Sequence, residues 1–351
     1  MTYCAGWKYN ECVYLIADTA ITQPDKPSLD YSSFGQLHSD TKYGYVQEAL
    51  LKLVPISEGI AIGFAGDVQV ASEILELLKD NVAYAKSAMD IVHLANNMGP
   101  FDPKQNVSLI IASSSVNGNN ELIKWNTTKG IDQTNADFYE IGSLTSYHAA
   151  RISSLVNFLT SRNLAVDRVL PTIISVVQSY GVLDNLIKMN VGGLITGLCT
   201  NHGKITWQED TNFVIYGSNI GSDLSYISAI ARNNAVIVKS SITNDTRAFY
   251  HTVSADQTIM NSQDWRYRVQ DQLNSDRFRY WVFVSNNSQN RMITLVIRND
   301  LETESKYVRL SRISEGKISL GLSSELEEIL HRHLESRNDD SIPFLLNILD
   351  D

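Results

Sequence analysis

A threonine at position 2 matters for what removal of Met1 would leave behind. Methionine before a small residue is expected to be cleaved, and Thr2 then carries a free α-amine beside its own hydroxyl. Such an amine has an unperturbed pKa of roughly 8, so part of it is neutral near physiological pH and accepts a proton. Nucleophile and base would then belong to one residue. The hydroxyl also needs a nearby cation, which favours the alkoxide and keeps the amine unprotonated. An oxyanion needs backbone N–H donors, and a glycine turn that ends a strand and opens a helix supplies them. Lys52 and Gly66 are of the right types, and Asp18 could hold the Lys52 ammonium. A lysine inside an apolar run usually snorkels to solvent, and pairing with Asp18 is one reason for it to be buried. Cys4 is a rival nucleophile, but exposing it needs cleavage after Tyr3; as a strand residue it fits the core better.

These residues must be positioned by strands and helices that the pattern predicts. Thr2–Trp7 and Cys12–Ala17 are apolar runs around a polar break, which predicts a buried hairpin closed by Asp18. Residues 23 to 46, with Pro24, Pro27 and many small polar residues, read as a loop or lid. Ala49–Ile56 and Ile60–Ala65 predict a second hairpin ending at Gly66. Helical spacing follows over Val70, Ile74, Leu75, Leu77 and Leu78, with Asp67 as N-cap. A further helix runs through Met89, Val92 and Leu94 to Gly99-Pro100. Strands are predicted at Val107–Ala112, Glu121–Trp125 and Phe138–Ile141, helices at Ser146–Leu159 and Val166–Tyr180, and a last hairpin at Val191–Cys199 and Lys204–Gln208. Sheets in the middle with helix pairs outside make an α+β, four-layer α/β/β/α sandwich.

The texture changes after Gly217-Ser218. Ala235–Lys239, Tyr280–Val284, Met292–Ile297 and Tyr307–Leu310 read as strands. Ser324 and Glu327 form a capping box, opening a helix with Leu326, Ile329, Leu330 and Leu334 on its apolar face. Two units follow, 1–218 and a smaller C-terminal α+β region, 219–351. A chain of 351 residues suits one large and one smaller domain.

The formal net charge of -10 argues against a nucleic-acid partner. Trp265–Arg268 and Arg277–Trp281 mix cations with aromatics, and on an acidic protein they read as packed strands or a protein interface. Three cysteines without CxxC spacing are neither a disulfide framework nor a zinc site, and His93, His148, His202, His331 and His333 lack ligand partners at metal spacing. No metal or cofactor is expected. With no secretory signal and no stretch of membrane-spanning length, the expected location is the cytoplasm, with no membrane partner.

Thr2, the run Val13–Thr22, Lys52-Leu-Val-Pro-Ile and Gly63-Phe-Ala-Gly66 before a helix resemble the proteasome β-subunits and the bacterial proteasome-like threonine peptidase, members of the N-terminal nucleophile hydrolase superfamily. The steps from Thr2 to Asp18 and from Lys52 to Gly66 match those of that family. The resemblance covers roughly residues 2 to 210. It implies a threonine-type endopeptidase or amide hydrolase in which Thr2 attacks, Lys52 tunes it, Asp18 orients Lys52 and the Gly66 N–H faces the oxyanion. Ser143, in Ile141-Gly142-Ser143, matches a serine that hydrogen-bonds near the threonine amine, and Gly192-Gly193 a late strand start. A peptide or protein substrate, homo-oligomeric rings and an ATP-dependent unfoldase partner are likewise implied.

The sequence departs from the family where an Asp, and a Ser three residues on, usually precede the Gly-Gly pair: Lys188 and Val191 stand there, with Asp184 and Asn185 nearby. The segment between Asp18 and Lys52 is also longer than the family's. Both motivate an alternative, an inactive relative that serves as a structural or regulatory subunit.

Overall fold

The computed structural model describes residues 2–26, 31–35, 40–41, 44–132, 136–144, 146–183, 186–217, 219–220, 224–232, 234–250, 273, 278–285, 293–314, 317–335 and 345–350. In chain order the first elements are β1 (Tyr3–Tyr9), β2 (Cys12–Asp18), β3 (Ala20–Gln23), β4 (Asp40–Thr41), β5 (Gly44–Glu48), β6 (Leu53–Pro55), β7 (Ile60–Gly66), α1 (Val68–Asp80) and α2 (Ala88–Asn97). Then come β8 (Val107–Ser114), β9 (Asn120–Asn126), β10 (Gly130–Ile131), β11 (Phe138–Gly142), α3 (Ser146–Ser161), α4 (Val166–Leu183), β12 (Ile195–Asn201) and β13 (Lys204–Trp207). The remainder are β14 (Thr211–Tyr216), β15 (Ser225–Arg232), β16 (Ala235–Ser240), β17 (Asp245–Tyr250), β18 (Tyr280–Ser285), β19 (Ile293–Arg298), β20 (Val308–Ser314), β21 (Lys317–Leu322), α5 (Ser324–Glu335) and β22 (Leu345–Asp350).

The architecture is mixed α+β, with stacked antiparallel sheets and flanking helices. One sheet has the order β11-β1-β2-β12-β13 and the other β10-β9-β8-β7-β6. Their facing side chains, among them Cys4, Val13, Leu15, Ala61, Ile110 and Leu122, fill one buried apolar layer. Close approach there requires glycine: a Cβ on Gly63 would run into Cys4 Sγ. Helices α1 and α2 cover the second sheet, packing Ile74, Leu75 and Ile91 on Ile62, Phe64 and Leu109. Helices α3 and α4 cover the first, packing Ile152, Ile173 and Val177 on Trp7, Tyr14 and Ile16.

The first hairpin closes through Asn10 at φ 52°, a left-handed conformation that asparagine tolerates. Asp67 caps α1, its carboxylate accepting the Gln69 and Val70 N–H groups at 3.0 and 3.1 Å. Two local expectations need correction. Within residues 23 to 46, read as a loop or lid, lie β4 and the start of β5, which join β3 in a small sheet of order β3-β5-β4. The run Ala49–Ile56 is a strand only over Leu53–Pro55. Before it, the Ala49 and Leu50 N–H groups both donate to the Thr19 carbonyl, which takes the chain out of the sheet ladder.

A third sheet, of order β17-β16-β15-β14-β18-β19-β22, carries the C-terminal part of the chain. Its first strand, β14, begins at Thr211, ahead of the change in texture at Gly217-Ser218. One face contributes Phe213, Ile227, Val236 and Val282 to the core that also holds α3 and α4, and α4 lies between the two sheets. The other face, with Tyr216, Trp281, Phe283 and Leu295, is covered by α5 and Val308 of β20. Phe278, Tyr280 and Trp281 are core residues, whereas Trp265–Arg268 and Arg277 lie outside the described residues. Among the described residues no helix is long and apolar enough to cross a membrane.

Candidate active site

The site is built where β1 and β2 run side by side. Antiparallel pairing sets Cys4 opposite Ala17, so the start of β1 meets the end of β2. There Asp18 Oδ1 accepts the Tyr3 N–H at 2.9 Å, from the residue that follows Thr2. The same oxygen lies 2.7 Å from Lys52 Nζ, and both side chains are fully buried. Lys52 also donates to the Ala20 carbonyl. Asp18 Oδ2 takes the Ala20 and Gly192 N–H groups at 3.2 and 3.1 Å. Three backbone donors and an ammonium thus replace the water this carboxylate gives up. Burial pushes the Lys52 amine below its ordinary value, and the neighbouring Asp18 charge pulls it part of the way back.

Thr2, the residue before the Tyr3 N–H that Asp18 holds, is 3% exposed. Its carbonyl accepts the Ser143 N–H at 2.8 Å, and Ser143 Oγ lies 3.5 Å from the same oxygen and 3.4 Å from the Met189 carbonyl. Gly142, paired with Tyr3, has φ +117°, and a Cβ there would overlap the Thr2 carbonyl. Glycine at 142 is therefore what lets β11 close on Thr2.

Gly66 stands apart from this bonded cluster. It ends β7 at φ +119°, against Asn106 and Val107, with Asp67 opening α1 directly after it. It belongs to the facing sheet, three residues beyond the Gly63 that packs on Cys4. Thr2, Asp18, Lys52 and Ser143 are brought together; Gly66 is aligned along the facing strand.

Cys4 is buried between the sheets, and burial raises its thiol well above the usual range, which disfavours a thiolate. His202 lies 3.0 Å from Glu11 on the exposed rim, and His148 packs edge-on against Tyr180. Among the described residues no group of three or more His, Cys, Asp or Glu could hold a metal ion. Lys188 falls in the 3-10 turn Leu186–Met189, and Asp184 and Asn185 lie outside the described residues.

Two buried polar groups beside the site carry no motif. Gln178 of α4 donates to the Gly193 carbonyl and accepts the Ile195 N–H, each at 2.8 Å, clamping the turn that holds Asp18. Its one sequence signal is a polar residue within an apolar helical stretch. Glu48, at the end of β5, accepts the Leu194 N–H at 2.7 Å and the Ser33 N–H at 2.7 Å. It stands before an ordinary apolar run and gives no signal.

No protein-family model matches the chain, and no curated protein matches it. Among solved structures it is similar to the crystal structure of eukaryotic HslV from Trypanosoma brucei. The likeness covers 57% of this chain and 100% of that one, at 14% identity and a TM-score of 0.39. It is a remote likeness of fold.

Proposed function

We propose that the chain is a proteasome-like threonine peptidase or amide hydrolase of the N-terminal nucleophile type, with Thr2 as nucleophile once Met1 is removed. One observation carries this reading: a single carboxylate oxygen of Asp18 holds both the buried Lys52 ammonium and the N–H next to Thr2. A fully buried lysine with a lowered pKa, bonded to the carboxylate that also holds the backbone next to Thr2, supports a functional role. In the proposed reaction the Thr2 hydroxyl oxygen attacks the scissile carbonyl and its proton passes to the Thr2 α-amine. The Gly66 N–H stabilises the tetrahedral oxyanion. The proton moves on to the leaving amine, the C–N bond breaks, and an ester to Thr2 remains. Water, deprotonated by the same amine, then hydrolyses the ester.

Intact-mass measurement tests the first requirement, since the chain must lack Met1. Incubation with an electrophilic peptide should then add one adduct, mapped to Thr2. Thr2→Ala should lose both adduct and peptide cleavage and keep its fold. Retained Met1, or cleavage by the Thr2→Ala chain, would overturn the reading.

A second reading is an inactive structural or regulatory relative. It is favoured by Thr2 being 3% exposed, by Ser143 facing the Thr2 carbonyl, and by Lys188 and Val191 standing where an Asp and a Ser would be expected. The two-unit organisation, 1–218 and 219–351, belongs to either reading, with β14 carrying the chain from one unit into the other. So do a cytoplasmic location, homo-oligomeric assembly and, for the active form, a peptide or protein substrate delivered by an ATP-dependent unfoldase. The third sheet covers α4, and the α1–α2 layer, with Leu77 and Met89 exposed, is one helical face open to ring contacts.

A further inference from the structure

The third sheet reaches the candidate site through its edge strand, β17. The Tyr250 carbonyl accepts the Leu51 N–H at 3.1 Å, one residue before Lys52. Three residues back, Arg247 Nη1 lies 3.2 Å from Glu48 Oε2, with the Glu48 side chain fully buried and that of Arg247 11% exposed. The guanidinium is aimed by its other nitrogens: Nε contacts Asp245 Oδ2 and Nη2 donates to the Tyr31 carbonyl, each at 3.0 Å.

Glu48 is a junction. Oε1 accepts the Leu194 N–H at 2.7 Å and the Thr19 hydroxyl at 3.3 Å. Oε2 accepts the Ser33 N–H at 2.7 Å and its hydroxyl at 2.6 Å. Gly193, at φ +71°, has no room for a Cβ, which would lie 2.7 Å from both Glu48 Cγ and Thr19 Oγ1. The turn pinned in this way supplies the Gly192 N–H to Asp18 Oδ2. Bonded groups therefore run without a gap from Arg247 through Glu48 and the Gly192–Leu194 turn to Asp18 and Lys52.

We propose that Arg247 is a positioning residue through which the third sheet completes the Thr2 centre, an inference that rests on the catalytic reading of Thr2, Asp18 and Lys52. Arg247 supplies the counter-charge that lets Glu48 stay buried against the Gly192–Leu194 turn. Without it the carboxylate keeps its Leu194, Thr19 and Ser33 donors but carries an uncompensated buried charge, which favours drawing in water or moving outward. Either movement frees the Leu194 N–H and loosens the turn, still clamped by Gln178, that presents the Gly192 N–H to Asp18. The consequence falls on turnover, because Asp18 and Lys52 act on Thr2 and not on the substrate.

The test uses the full chain with Arg247→Met, Arg247→Lys, Glu48→Gln and the Arg247→Met/Glu48→Gln pair. Peptide cleavage and amide hydrogen exchange at residues 192–194 are both measured. Arg247→Met should lower kcat about tenfold to a hundredfold, leave KM within about twofold and speed exchange at Gly192 and Leu194. The paired change should recover only part of both: it removes the uncompensated charge, but an amide NH2 cannot accept one of the two backbone N–H groups, of Leu194 and Ser33, that the carboxylate holds. Arg247→Lys keeps the charge without the fork, should show the same changes more weakly, and serves if the methionine variant does not fold. Unchanged exchange and kcat in folded Arg247 variants would overturn the proposal. Wild-type cleavage no faster than that of Thr2→Ala would count against the catalytic reading instead. The exchange rates would then still decide whether Arg247 holds the turn.

Discussion

Lys52 and Asp18 form an ion pair of 2.7 Å with both side chains fully buried. The two partners are not equally supplied. Asp18 keeps three backbone N–H donors without Lys52, from Tyr3, Ala20 and Gly192. Lys52 without Asp18 keeps the Ala20 carbonyl.

That asymmetry sets the order of two substitutions. Asp18→Asn strands a buried ammonium and should cost about 3–5 kcal/mol. Lys52→Met leaves a carboxylate that still has its donors, and it should cost clearly less. Urea denaturation of the two variants compares them, and a larger loss in Lys52→Met would contradict this account of the pair. On the proposed chemistry both variants should be inactive.

Gly142 bears on the position of Thr2 through the backbone alone. Gly142→Ala must either move the Thr2 carbonyl or abandon φ +117°. A loss of about 1–3 kcal/mol is expected from backbone strain, together with a weaker Ser143–Thr2 contact. Thermal denaturation and amide exchange at Ser143 measure both, and an alanine chain as stable as wild type would refute the packing argument.

Stability should fall in alkali. Burial raises the Cys199 thiol from 9.0 to about 12 and the Tyr280 phenol from 10.0 to about 12. It raises Cys4, Tyr3 and Tyr14 as well. Above pH 9 the unfolded chain gives up protons that the folded chain keeps, so these contributions are whole below that point and are lost as pH rises towards 12. Lys52 has the opposite sign: its buried amine loses its proton more easily when folded, so its contribution grows with pH up to its ordinary value of 10.5. Lys79 is lowered by burial in the same sense, but Cys12, Tyr216 and Tyr226 join the raised thiols and phenols, so the raised groups outnumber the two lysines and the net slope is downward. Urea midpoints measured from about pH 8 to about pH 11 should decline, and Cys199→Ser should flatten the curve.

Tyr280 satisfies a carbonyl that Pro171 leaves open. Proline has no N–H, so Asp167 lacks the donor four residues on in α4. The Tyr280 hydroxyl of the third sheet donates to the Asp167 carbonyl at 2.8 Å. Tyr280→Phe should therefore cost about 1–2 kcal/mol, read from urea denaturation. Pro171→Ala in that background should return part of it by restoring the helical bond.

The sequence by itself determined the elements whose signals are local. Continuous apolar runs and the Lys8–Glu11 break mark β1 and β2, and Asp67 marks the start of α1, because turn and cap chemistry act within a few residues. Thr2 and Asp18 stand at the two ends of one hairpin, which pairing brings together, whereas for Lys52 the sequence offered only a suitable residue type and the family resemblance. Only the tertiary structure decided what surrounds them. The Gly192 N–H that holds Asp18 comes from 174 residues away, and the Arg247 that compensates Glu48 from 199. A glutamate before an apolar run and an arginine on an edge strand look like solvated charges until folding removes water from both. Burial and partner choice come from packing among distant strands, and no local period encodes them.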